Sequence, residues 1–301
     1  MIAFMSEKAK KTILVTGGAG FIGSNLIERL VQDPNNRVVS LDNYFTGKKE
    51  NHIPGAEYIE GHTKDIAKLI NFTPDLVYHL GEYSRVAKSL EEPELVWDLN
   101  IAGTLSVLEF WRKTKCKLVY AGSSTKFVSA RDDGVEGRDL SPYTWAKAIN
   151  SELVHNYGRW YDLPYSTTYF YNVYGHGERG GVDSYGTVIE TFKQNFLNNR
   201  PHEVRMPGTQ TRAFTHVNDT IDALLLVGEK GVRDEYAVSS QDVCSLLDVV
   251  NMFGGDVAML PQTKTSRSSG AMDTAKLEAL GWKQKQTLED YIRKIKEESS
   301  K

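Results

Sequence analysis

The string TILVTGGAGFIGSNL, residues 12–26, constrains the fold more tightly than any other stretch of the chain. An apolar, β-branched run ends at a glycine, and Gly17, Gly20 and Gly23 then repeat at the spacing G-x-x-G-x-x-G as an amphipathic pattern begins. A strand that turns directly into a helix over three glycines makes a loop whose backbone can approach a diphosphate. Gly17 serves the tight turn, Gly20 the close approach, and Gly23 the contact of helix with strand, while the helix N-terminus favours negative charge. Phe21 and Ile22, between the glycines, are candidates for the same cofactor site. A plain glycine-rich turn is the bland alternative, and the context argues against it.

Part of that context is Asp42, which ends VVSLD about twenty residues beyond the fingerprint. A carboxylate there accepts hydrogen bonds from both adenosine ribose hydroxyls and repels a 2′-phosphate, which favours NAD over NADP. Asn43 rather than Arg follows it, although Lys48 and Lys49 keep NADP open. An acid that merely ends a strand is the other reading.

The rest of the first half keeps the same rhythm. Short apolar runs at 12–17, 37–42, 76–81, 117–124 and 165–172 read as strands, with helical patterns at 20–32, 64–71, 93–114 and 143–161 between them. Alternation at this spacing predicts an α/β chain, a Rossmann-type doubly wound parallel sheet buried on both faces. Beyond residue 172 the pattern becomes irregular, with helices near 187–198, 217–229 and 287–298. We expect an NAD-binding domain over 11–172, joined by about 213–240, and a smaller substrate-binding lobe from 173–212 and 241–298. Open α/β sheets bind ligands at the carboxyl ends of their strands, where such a lobe would sit.

Composition removes several classes of function. With 301 residues, 40% of them hydrophobic, the chain can bury a full core. A net charge of −3 gives no basic field for nucleic acid or an anionic membrane. Cys116 and Cys244 are the only cysteines, which supports neither a disulfide framework nor a thiolate metal site and points to a reducing cytoplasm. Residues 1–10 read as a frayed leader, and no segment reaches the roughly 18 apolar residues of a membrane span.

Two strings remain, YAGSSTKFV at 120–128 and SPYTWAK at 141–147. Tyr143 and Lys147 lie four apart, on one face of the expected helix. A free tyrosine ionises near pH 10, but an adjacent ammonium and a positive nicotinamide both favour the phenolate. Alone, such a pair is an ordinary solvated helix face; here it follows a dinucleotide fingerprint and a hydroxyl-rich strand end.

TGGAGFIGSNL, LDNYFTGKKEN, YHLGEYSRVAKS, SSTKF, SPYTWAK, YFYNVYG, GTQTRAFTHVND and MDTAKLEALGW occur in this order. In that order they resemble the extended short-chain dehydrogenases/reductases, specifically the nucleotide-sugar epimerase/dehydratase family typified by UDP-galactose 4-epimerase. The likeness runs from Lys11 to about Ile295. It implies that Thr125 bonds the reacting sugar hydroxyl, Tyr143 removes its proton, and Lys147 assists Tyr143 and holds the nicotinamide ribose. Leu80, Asn100 and Ser123 fall at cofactor positions and Ser84 near the sugar, while Asn172, Arg212 and Arg267 would take the substrate diphosphate. A planar guanidinium suits that role because it binds two oxygens at once.

The resemblance also implies a homodimer through the helices at 93–114 and 143–161, with Leu105, Leu108, Trp111, Leu153 and Trp160 as candidate contacts. Their alternative role is packing against the sheet. Gly270 falls at a gate position, where a small residue would admit an N-acetylated sugar; a turn glycine is the other reading.

Several positions depart from the pattern, among them VSA at 128–130 in place of the usual VYG. Lys126 and Phe127 replace the acidic pair of the 4,6-dehydratases, so a conventional dehydratase is not expected. His62 replaces the acid that meets adenine, and Glu82 replaces a small residue in HLGE. His79 reads as a satisfied strand histidine, with no partner at metal spacing. The expected function is an NAD-dependent nucleotide-sugar epimerase acting at C4 through a transient 4-keto sugar. The alternatives are a nucleotide-sugar 4-dehydrogenase or reductase and, outside the enzymes, a dinucleotide-sensing protein without turnover.

Overall fold

The computed structural model describes residues 10–124, 137–178, 186–262 and 270–299. β1 (Lys11–Thr16) leads into α1 (Phe21–Leu30), followed by β2 (Asn36–Asp42), β3 (Ala56–Glu60), α2 (Ile66–Leu69) and β4 (Leu76–His79). Helical backbone then runs from α3 (Pro93–Val96) through a π-helical stretch, Trp97–Ala102, into α4 (Gly103–Thr114). β5 (Lys117–Ser123), α5 (Pro142–Trp160) and β6 (Tyr165–Phe170) complete the regular half. After it come β7 (Val173–Tyr174), α6 (Val188–Leu197), β8 (His202–Arg205), β9 (Thr211–Ala213), β10 (Thr215–His216), α7 (Val217–Lys230) and β11 (Arg233–Val238). The chain ends with β12 (Val243–Ser245), α8 (Leu246–Phe253), β13 (Val257–Leu260), α9 (Ala275–Glu278) and α10 (Leu288–Ser299).

Seven strands form one parallel sheet in the order β11-β6-β5-β4-β1-β2-β3. Strand periodicity divides its two faces. Ile13 and Val15 of β1 pack with Leu26 and Ile27 of α1 and Ile221 and Leu224 of α7. Leu14, between them, points the other way, to Val107 and Trp111 of α4 and Val154 of α5. Burial on both sides explains the unbroken apolar runs. A separate apolar cluster joins Ile189 and Phe192 of α6, Val249 and Phe253 of α8 and Ile292 of α10.

The five expected strands all belong to this sheet, but β3 and β11 were not foreseen. Both are edge strands with charged positions: β3 reads AEYIE and has no buried residue, and β11 opens on Arg-Asp-Glu before its apolar end. The helix expected at 64–71 is a 3₁₀ turn, Thr63–Asp65, followed by the single turn of α2. α8 was not separated from the irregular region. Leu108 and Trp111 are fully buried against the sheet, which removes them from any interface, whereas Leu105 and Trp160 are exposed. Among the described residues no helix is long and apolar enough to cross a membrane.

β1 pairs with β2 on one side and β4 on the other, so the chain leaves it in opposite directions. The crevice at that switch point, outside the carboxyl ends of the strands, is where this class of sheet holds ligands.

Candidate active site

Two glycine-specific contacts and one tight one shape the crevice at the end of β1. Gly17 has φ +73°, and a Cβ there would lie 2.8 Å from Cα of Gly81 in the loop after β4. A Cβ on Gly23 would lie 2.1 Å from the Gly17 carbonyl oxygen, and one on Gly20 3.3 Å from the same atom. Gly20 is also the N-cap of α1, which aims that helix N-terminus into the crevice. Asp42 closes the far side. Its Oδ2 accepts from the Ala19 N–H at 2.9 Å and its Oδ1 from the Tyr44 N–H at 2.8 Å. Burial raises its carboxyl above the usual range against the opposing effect of those two bonds. An ionised carboxylate has about four acceptor sites, so these bonds leave capacity for two hydroxyls.

A cavity of about 740 Å³ opens over this loop. From the cofactor candidates, Gly17, Gly20, Phe21, Ile22, Gly23, Asp42, Asn43, Leu80, Ser123 and Tyr143 line it. From the substrate candidates, Ser84, Asn172 and Arg212 line it too. Thr125 and Arg267 lie outside the described residues, as do Lys126 and Phe127. Asn100 is fully buried behind the wall, where its amide accepts from the Tyr83 N–H at 2.6 Å and donates to the Tyr83 carbonyl at 3.1 Å. Its side chain is thus engaged by backbone. Gly270 is exposed and does not line the cavity, and a Cβ added there would have nothing within 4 Å among the described residues.

Local sequence explains the placement of Tyr143. Ser141 caps α5 through a reciprocal pair of bonds with Thr144, at 3.2 Å from the Thr144 N–H and 2.9 Å from the Ser141 N–H, and Pro142 occupies the first turn. Tyr143 therefore emerges at the start of the helix, 9% exposed, against Tyr83, Val96, Leu99 and Ala146. Lys147, one turn on, is 5% exposed and lies beneath the cavity floor. Its ammonium donates to the Ala121 carbonyl at 2.5 Å and to Glu82 Oε2.

The partner of Lys147 is the unexpected acid of HLGE. The Glu82 side chain is 1% exposed. Burial, the largest single effect, would raise its carboxyl, but Lys147, His79 and the Thr104 hydrogen bond together outweigh it and hold it below the usual range. His79 is satisfied on both ring nitrogens, Nδ1 at 2.7 Å from Thr16 Oγ1 and Nε2 at 2.9 Å from Thr104 Oγ1. Burial lowers its imidazole to about 4, so it is neutral.

The opposite wall comes from the irregular half. Asn172 has φ +35°, a conformation asparagine tolerates better than most residues, and its amide donates to the Ala213 carbonyl at 2.9 Å. Arg212 is carried by β9, beside β12. Glu178 was missed by the sequence reading. It lines the cavity, accepts from Thr187 Oγ1 at 2.9 Å through Oε2, and is pushed up to about 8 by burial. A lone glutamate in a glycine-rich stretch carries no signal of its own. His62, for its part, does not line the cavity; it accepts from the Lys64 N–H at 2.9 Å and pairs with Asp98 at 3.1 Å, while Thr63 and Gly61 form the wall.

A backbone cradle with no room for a Cβ at Gly17 or Gly23, a helix N-terminus aimed into it, and an acid with spare acceptors at its rim together fit a dinucleotide. Comparison with known proteins agrees with that geometry. The model of the NAD dependent epimerase/dehydratase family matches residues 13–239. The chain is 31% identical over 297 residues to "Putative UDP-glucose 4-epimerase" of Methanocaldococcus jannaschii, covering 94% of this chain and 96% of that one. It is 31% identical over 256 residues to UDP-N-acetyl-alpha-D-glucosaminuronate decarboxylase of Bacillus cytotoxicus, covering 80% and 78%. The UDP-glucose 4-epimerase of Thermus thermophilus, solved in complex with NAD, superimposes with a TM-score of 0.82 at 25% identity, over 96% of this chain and 99% of that one.

Proposed function

Since the chain belongs to the NAD-dependent epimerase/dehydratase family, we propose that it is a nucleotide-sugar epimerase that inverts C4 through a transient 4-keto sugar. The observation that carries this reading is a single cavity in which Tyr143 and the glycine loop face Asn172 and Arg212. When bound, NAD supplies a reversible hydride acceptor for the sugar carbon.

The chain's own residues do the rest. Gly17, Gly20 and α1 hold the cofactor diphosphate, and Asp42 the adenosine ribose. Tyr143 takes the proton of the C4 hydroxyl as the carbon is oxidised and gives it back as the carbon is reduced from the other face. Lys147, fixed under the floor by Ala121 and Glu82, supplies the positive charge next to that proton transfer. Arg212, with Asn172, takes the substrate diphosphate, leaving the sugar as the part free to turn. Thr125 and Arg267 keep the roles the family resemblance gives them. The regular half and the lobe divide this labour as cofactor and substrate domains.

We further propose a homodimer. Trp97, Leu105, Trp145 and Trp160 are 39%, 45%, 39% and 60% exposed on the π-helical stretch, α4 and α5. Trp97 and Trp145 meet edge to face at 5.8 Å between centroids, so two of these side chains form one patch. Contiguous exposed aromatics of this kind mark interaction surfaces.

The decarboxylase relative supports a second reading, in which the same oxidised sugar loses a carboxyl group. One experiment separates the possibilities. The NAD-loaded chain is incubated with UDP-, GDP- and dTDP-linked hexoses and uronic acids, and sugars, NADH and CO₂ are followed together. An isomeric sugar with no net NADH and no CO₂ is expected. Released CO₂ would establish the decarboxylase, accumulating NADH a dehydrogenase, and binding without any product a sensing protein.

A further inference from the structure

Glu82 is a buried charge that the reaction above does not use directly, and its surroundings are built for it. Its carboxylate gathers four donors from three elements. Lys147 and, at 2.7 Å, the Asn150 amide come from α5, the Thr104 hydroxyl at 2.9 Å from α4, and the Tyr120 hydroxyl at 3.2 Å from β5. The hydrogen bonds behind it also have only one consistent direction. Because Thr104 spends its one hydroxyl hydrogen on Glu82, its oxygen must accept from His79 Nε2, which leaves Nδ1 to accept from the Thr16 hydroxyl, itself an acceptor for the Gly81 N–H at 3.0 Å. The proton of neutral His79 is then on Nε2 and is donated to Thr104 Oγ1, which donates onward to Glu82. One polar chain thus runs from Gly81, against which Gly17 packs, to the carboxylate that holds Lys147.

We propose that Glu82 is a positioning residue, which fixes the Lys147 ammonium beneath the cavity and offsets part of its field at Tyr143. The proposal rests on the roles given to Tyr143 and Lys147 above. Among the described residues, the titratable groups facing the pair are His79 from β4 and Tyr120 from β5, while Tyr143 lies one helical turn before Lys147 on α5. His79 is neutral, and burial together with Glu82 holds the Tyr120 phenol well above its ordinary range. That leaves one positive and one negative charge near Tyr143. An unpaired ammonium would favour the phenolate strongly, whereas an ammonium in contact with a carboxylate presents mainly a dipole, whose effect falls off faster with distance.

The test uses the full chain saturated with NAD, as parent, Glu82→Gln and Glu82→Ala, each also carrying Tyr143→Phe. Tyrosinate formation is followed by ultraviolet difference absorbance, and the step lost with Tyr143→Phe is assigned to Tyr143. Glu82→Gln keeps an acceptor for Thr104, Tyr120 and Asn150; Glu82→Ala gives the small residue that the family pattern has at this position. In both, the Tyr143 step is expected to move to lower pH. The acid limb of kcat/KM then moves with it, which raises activity on that limb about tenfold for each pH unit moved. A merely structural carboxylate would change yield or melting without moving the step. An unmoved step, a step at higher pH, or failure of both variants to fold would overturn the proposal. If the parent converts no nucleotide sugar, the epimerase reading falls, while the tyrosinate titration still decides the role of Glu82.

Discussion

Gly23→Ala sets two effects of opposite sign against each other. Gly23 is inside α1, where alanine is preferred to glycine by about 1 kcal/mol, so propensity alone makes the variant more stable. The new methyl, however, would lie 2.1 Å from the Gly17 carbonyl oxygen and 2.8 Å from Gly18 Cα. Non-bonded heavy atoms settle at about 3.5 Å, so α1 and the glycine turn must part by more than about 1 Å. Both colliding groups are backbone, and no side-chain rotation relieves them. The upper part of the overpacking range, about 3 kcal/mol, is therefore appropriate. Subtracting the propensity gain leaves a net loss of about 2 kcal/mol, or roughly 4–8 °C in Tm at 2–4 °C per kcal/mol. The same displacement moves the turn that cradles the diphosphate, and NAD affinity is expected to fall about tenfold, near 1.4 kcal/mol. Thermal melting with and without NAD, and NAD titration by intrinsic fluorescence, measure both. Gly270→Ala, at an exposed position with nothing within 4 Å among the described residues, is the control and should stay within about 0.5 kcal/mol. A Gly23→Ala protein that melts at or above the parent and binds NAD equally well would refute the steric argument.

Tyr143→Phe should retain NAD binding and lose at least about 10² in kcat, measured as sugar interconversion under saturating substrate. Glu178 is raised from 4.5 to about 8, mainly by burial, so between those values the folded chain holds a proton that the unfolded chain has released. Stability therefore falls as pH rises through that window, and the melting temperature of Glu178→Gln should climb relative to the parent over the same window; a constant difference would count against the shift. Light scattering at micromolar protein should give twice the chain mass, and Leu105→Glu with Trp160→Glu should return it to one, because both side chains are exposed on the proposed interface.

What could be read in advance follows from how local each cause is. The glycine turn was legible because its requirement is steric and confined to seven residues: Gly17 needs positive φ, and Gly23 needs room under the Gly17 carbonyl. The start of α5 was legible for a similar reason, since Ser141, Pro142 and Thr144 form a complete N-terminal cap within four residues. β3 and β11 escaped because each is an edge strand, and their charged positions resemble a loop. Asn100 shows the opposite difficulty. A helical asparagine at a familiar position suggested a ligand contact, but its amide is engaged by the Tyr83 backbone, seventeen residues away.

Glu82 lies at the far end of this scale. In sequence it is one acid in a short run after β4, with nothing to distinguish solvent from site. Its partners come from 22, 38, 65 and 68 residues further along the chain. Only the pairing of β4 with β5, and the packing of α4 and α5 beside that pair, brings Thr104, Tyr120, Lys147 and Asn150 to one point. An alanine at this position would leave the Lys147 ammonium with the Ala121 carbonyl as its one protein acceptor among the described residues. The three other donors would each need a new acceptor in a space that is almost fully buried. The carboxylate is thus kept in place by its neighbours rather than by its own segment. A departure from a family pattern can be spotted in a sequence, but whether it disrupts a site or completes one depends on contacts that exist only in the folded chain.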